Sequence, residues 1–158
     1  MTVVAWVNYV QFLDTTGAPT GYRFQDYAMN ESRTFEGNPY ASMPFEVAPG
    51  GGASGGDRST AAFSTFANDI AVNVITEACD SEWLLEIAQV KIDRATGENL
   101  LLFTREPWLC NSYSYSQGNG IISLSLGSLL NAVDGLVGRT LTSKMVGRLP
   151  VSGGLRLG

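Results

Sequence analysis

The 158-residue chain contains no histidine. That absence removes the commonest general base and metal ligand together, so neither a Ser-His nor a Cys-His nucleophile can be assembled from it. Cysteine is nearly missing too. Cys79 and Cys110 are the two present, with no second Cys or His at zinc spacing, and they read as buried thiols, a disulfide between them remaining open. Charged residues make up only 16% of the chain, which leaves much surface free for protein contact. No run approaches the roughly 18 apolar residues of a membrane span, and no basic leader precedes an apolar core. This predicts a chain made and folded in the cytoplasm, without a membrane segment.

What is there is ordinary for a folded protein. The hydrophobic share is 44%, and the length suits one domain that buries roughly two-thirds of its unfolded surface. The net charge of -5 conceals an asymmetry: beyond Asp134 there is no acidic residue, while Arg139, Lys144, Arg148 and Arg156 all lie there. We therefore divide the chain into a domain over residues 1–134 and a basic arm of the same domain over 135–158. So acidic a domain is a poor general binder of nucleic acid, whereas the arm suits acidic protein surface.

Alternation dominates the pattern. Residues 2–13 place Val4, Trp6, Val10 and Phe12 on one side of an extended segment, a turn follows over 14–21, and a second strand is predicted over 22–28. Asn38-Pro39 favours a turn, and Pro44 excludes a central strand position. Tyr40, Met43, Phe45 and Val47 are expected to cover part of the core. Five glycines fall within residues 50–56, ahead of Asp57, and predict a loop. No Lys follows at nucleotide-loop spacing, so phosphate binding is not indicated. After a strand over 59–66, Asn68 and Asp69 offer an N-cap, and Ala71, Val74, Ile75 and Ala78 form one helical stripe.

The longest patterned stretch is 83–126. An apolar limb over 83–92 turns through residues 93–99, returns past Trp108 and the alternating Ser112 to Ser116, and turns again at Gln117 to Gly120. Ile122, Leu124 and Leu126 then share one face of a third strand. Its carboxylates, Glu86, Asp93, Glu98 and Glu106 among them, form no recognisable acid pair, and Asp57, Asp93 and Asn99 lack calcium-loop spacing. Trp108, Tyr113 and Tyr115 form a candidate aromatic contact face, for a sugar or a partner, set against simple core packing of alternate residues.

The phrases Tyr40 to Val47 and Phe66 to Ile70, with the glycine loop, the long hairpin and the terminal stretch 139–150 in this order, resemble small minor tail and tail-tip proteins of tailed bacteriophages, associated with the baseplate hub. The resemblance implies a mainly β fold, a tail-tube-like β-barrel or sandwich with one short flanking helix and extended loops. It implies a non-enzymatic virion protein, assembled in the host cytoplasm as a homo-oligomeric ring at the distal end of the tail tube, with other tail proteins as partners and no cofactor or metal. The assembly surfaces would be the glycine loop at Gly51, Gly55 and Asp57, the hairpin loop at Arg94, and the basic arm at Arg139, Lys144, Arg148 and Arg156. The alternative reading is a small carbohydrate-binding β-sandwich on the aromatic face.

Overall fold

A computed structural model describes residues 3–49 and 60–129. The glycine loop with Asp57, and the basic arm with Arg139, Lys144, Arg148 and Arg156, lie outside the described residues.

The strands are β1 (Val4–Leu13), β2 (Pro19–Gln25), β3 (Arg33–Phe35), β4 (Asn38–Ser42), β5 (Phe45–Pro49), β6 (Thr60–Phe66), β7 (Leu84–Asp93), β8 (Asn99–Ser116) and β9 (Ile121–Ser128), with helix α1 (Asp69–Asp80) between β6 and β7. They form a single mixed sheet in the order β3-β4-β2-β1-β7-β8-β9-β6-β5. Among the described residues only the β2–β4 pair is parallel.

The two ends of that order are covalently close, because Met43 and Pro44 alone separate β4 from β5. The sheet must therefore curl. Phe12 of β1 meets Phe63 of β6 with ring centroids 6.4 Å apart, although three strands separate β1 from β6 in the ladder. The mainly β architecture with one short helix agrees with expectation. In its detail the sheet is open: no ladder joins its two end strands among the described residues, and there is no second sheet facing it.

Period-two alternation decides what the curled sheet encloses. Val10 and Phe12 of β1, Leu85 and Ile87 of β7, Phe63 of β6 and Ile122, Leu124 and Leu126 of β9 all point into the main core. Helix α1 plugs this core with the expected stripe, Ala71, Val74, Ile75 and Ala78, all buried. Asn68 caps the helix, its side-chain oxygen accepting from the Ala71 N–H at 2.8 Å. Cys110 lies in the same core and Cys79 packs at its margin; both are free thiols.

A second, smaller core lies on the other face of β1 and β7, where Val7, Tyr9, Ala88, Val90 and Ile92 meet Phe35 and Tyr40. It exists because the chain leaves β2 early. Gln25, fully buried, ends the strand by accepting from the N–H groups of Tyr27 and Ala28 through Oε1 and donating through Nε2 to the carbonyls of Ala28 and Glu31. This corrects the expected strand over 22–28. The expected turn at Asn38-Pro39 also moves: Glu36 and Gly37, with φ of 49° and 78°, make a tight hairpin turn, and Pro39 sits inside β4. Pro44 falls between β4 and β5, outside regular pairing, as its missing N–H requires.

Candidate functional site: a braced three-stranded tongue

Beyond the curled body, the first half of β1, the end of β7 and the start of β8 continue as a three-stranded tongue. Val4 to Asn8 pair with Gln89 to Asp93, and these pair with residues from Asn99 to Thr104. Among the described residues neither flank of the tongue carries a strand. The β1–β2 ladder begins only at Tyr9, and the β8–β9 ladder begins only at Trp108.

One face of the tongue is held from outside. Arg33 of β3 donates from Nε to the Tyr9 hydroxyl at 3.1 Å and from Nη2 to the Gly97 carbonyl in the hairpin loop, with its guanidinium 5.4 Å from the Tyr27 ring centroid. The Tyr9 hydroxyl donates in turn to Asn99 at 3.0 Å. Tyr9 stacks on Phe35 at 4.4 Å. Arg105 lies over Phe35 and pairs with Glu36, whose hydrogen bond raises the guanidinium pKa further. Within the loop, Asp93 accepts from the Ala95 N–H at 2.8 Å, and Gly97 takes a φ of 74°.

Among the described residues the opposite face has no such cover. Trp6 is 48% exposed and Phe103 61% exposed, their rings in edge-to-face contact at 5.3 Å, with Val4 and Leu101 also exposed nearby in register. Two breaks in the β7–β8 register leave Phe103 and Leu100 as extra residues on β8, unmatched on β7. Such bulges twist a strand and re-aim side chains. Lys91 lies in register between Trp6 and Leu101, so the face is an apolar patch around one cation, a composition suited to protein contact.

Of the residues the sequence singled out, Arg94 is exposed on the tongue's tip, its N–H donating to the Val3 carbonyl at 2.9 Å. The aromatic face does not hold together as one surface: Trp108 is buried at 7% exposure, while Tyr113 and Tyr115, further along β8, are about half exposed. The sequence reading missed Trp6, Leu100 and Phe103 as contact residues. The signal available was Leu100 to Phe103 itself, four consecutive apolar residues that cannot all face a core across a two-fold alternation.

Among the described residues no group of three metal-ligating side chains comes together, and no helix is long and apolar enough to cross a membrane. Burial pushes the Cys110 thiol up to about 12, with a smaller contribution from neighbouring Cys79, whose own pKa is raised by burial.

No protein-family model matches the sequence, and no curated protein matches it. The fold does have a likeness among solved structures. A chain of the virion of a native gene transfer agent particle superimposes with a TM-score of 0.50 at 11% identity, over 84% of this chain and 42% of that one. The chain thus spans less than half the length of the virion chain it resembles.

Proposed function

We propose that the protein is a non-enzymatic structural subunit of a phage-like virion, which self-assembles through the tongue into a ring at the distal end of a tail tube, in the tail tip or baseplate. The observation that carries the reading is the tongue itself, braced by Arg33 and Arg105 on one face and presenting Trp6 and Phe103 on the other. A hairpin fixed in this way loses little conformational freedom on docking, which favours association. The fold it shares with a virion chain, and the resemblance of its sequence to tail-tip proteins, support the same direction.

In this reading the free flanks of β1 and β8 lie on opposite sides of the tongue, so a neighbour joining one flank leaves the other open for the next copy. Head-to-tail contacts of this sort close into rings or run on as filaments. Other tail proteins would stack above and below, with Arg94 at the tongue's tip and the basic arm meeting acidic partner surface. Assembly would take place in the host cytoplasm.

The test is the size of the purified chain by light scattering and by electron microscopy, alone and with a candidate tail-tube protein, at low and high salt. Closed particles of several subunits, or co-assembly weakened by salt, are the expected result. A strict monomer that joins no tail component would overturn the proposal.

A further inference from the structure

We infer that the cleft at the root of the tongue binds a neutral saccharide, with Gln89, Thr104, Glu106 and Trp108 supplying its polar contacts. The cleft has a volume of about 290 Å³, at the small end of ligand-binding clefts. Its walls include Asn8, Ile87, Gln89, Thr104, Glu106 and Trp108.

The register makes this set unusual. Asn8 pairs with Gln89, Gln89 with Thr104, Ile87 with Glu106, and Leu85 with Trp108. These positions continue the inward face that carries Val10, Phe12 and Leu85 in the main core. On this face Asn8, Gln89 and Thr104 are only half-buried and Glu106 is exposed, so the row opens to solvent as a polar cleft instead of closing as core.

Their hydrogen-bonding capacity is uncommitted. Asn8 is held, donating from Nδ2 to Asp26 at 2.6 Å. Gln89, Thr104 and Glu106 have no side-chain hydrogen bond among the described residues, nor does the Trp108 indole N–H, and no buried side-chain nitrogen or oxygen is orphaned. Their polar atoms are therefore open to solvent or to a ligand.

The chemistry selects the ligand class. The cleft mixes donors (the Gln89 amide and the Trp108 N–H) with acceptors (the Glu106 carboxylate, the Gln89 and Asn8 carbonyls) and a hydroxyl that serves as both. Among the described residues no cation lines it, and Glu106 disfavours phosphate and carboxylate ligands. A single carboxylate is too few for a metal site. A sugar ring fits: each hydroxyl donates and accepts, and its C–H face suits Ile87 and the indole.

The experiment titrates the full chain with glucose, galactose and N-acetylglucosamine, and with glucuronate as the anionic control, by saturation-transfer NMR and calorimetry. The expected result is binding of at least one neutral sugar, with a dissociation constant on the order of millimolar, and none of glucuronate. Glu106→Gln and Gln89→Ala should each weaken it by about tenfold, while Tyr113→Ala leaves it unchanged. Glu106 is exposed and Gln89 half-buried, so thermal melts of both variants should match the parent and certify their folding. Three results overturn the inference: no neutral sugar bound at roughly tens of millimolar, binding indifferent to both cleft variants, or glucuronate bound as well as its neutral counterpart. The inference does not rest on self-assembly. A chain that assembles but binds no sugar refutes this proposal alone, and one that binds sugar but stays a monomer and joins no tail component refutes the other.

Discussion

Trp6 and Phe103 come from strands that are not neighbours, yet their rings meet edge to face at 5.3 Å across β7. The bulge at Phe103 brings them together, and the pair stands half in water. A contact that shields so little of either ring contributes little to the fold, since the gain from apolar area scales with the area removed from water. At an interface the same rings would be fully desolvated, where aromatic residues dominate binding energy. Phe103→Ser and Trp6→Ala are therefore expected to change stability by no more than about 0.5–1 kcal/mol, as surface substitutions do. Each should weaken self-association by about 2 kcal/mol or more, the loss typical of an interface anchor. Denaturant titration and sedimentation velocity on the same samples separate the two effects.

The brace behind the tongue gives a second expectation. Arg33 ties three elements together, through the Tyr9 hydroxyl, the Gly97 carbonyl and the Tyr27 ring. Arg33→Ala removes a charged donor from all of them, at a cost of about 1.5–3 kcal/mol for hydrogen bonds to a charged group. The loss should be local first. Hydrogen exchange at residues 93–99 should speed up well before exchange in β9, since the loop's attachment fails while the main core stays intact. Uniform acceleration across the sheet would contradict this account of the tongue.

How far the sequence could lead is clear from these elements. Helix α1, the strand β9 and the two turns of the long hairpin were legible because each has one dominant local signal: an N-cap with a stripe, a clean alternation, an Asn-Gly pair. The curl of the sheet was not, since it depends on β4 and β5 being one path bent at Met43-Pro44 and on ladders between strands far apart in sequence, β1 with β7 and β6 with β9. The second core was hidden for a similar reason: Gln25, a polar residue, breaks β2 from inside by bonding to backbone two and three residues on. The tongue's face escaped notice because bulges shift alternation by one residue, and period counting assumes no shift. The cleft was invisible until the register put Asn8, Gln89 and Thr104 side by side.

Phe63 and Phe66 offer a direct check of the curled core. They lie in the same strand on opposite faces, Phe63 fully buried against Phe12 and Phe45, and Phe66 largely exposed. Phe63→Ala is expected to cost about 3–5 kcal/mol, the range for an aromatic residue removed from a packed core, and to leave little folded protein at moderate denaturant. Phe66→Ala should stay within about 0.5 kcal/mol of the parent. Equal costs would mean that the face assignment of β6 is wrong, and with it the direction in which the sheet curls.

The two thiols supply a pH-dependent expectation. Cys110 is buried in the main core, which pushes its pKa up to about 12 from an ordinary value of 9.0. A raised pKa on an acid means that the folded state holds the proton more tightly than the unfolded chain. Between those two values the folded chain therefore binds more protons, and stability must fall as pH rises. The contribution is complete below about pH 9 and is lost progressively towards pH 12. Denaturant midpoints should accordingly drop between pH 8.5 and pH 10.5 by more in the parent than in Cys110→Ala, which lacks the titrating group. At neutral pH the buried thiol stays protonated, so a water-soluble disulfide reagent should label the half-buried Cys79 first and reach Cys110 only on unfolding. Labelling of both at equal rates in the folded protein would show that Cys110 is open to water, and the pH effect should then vanish with it.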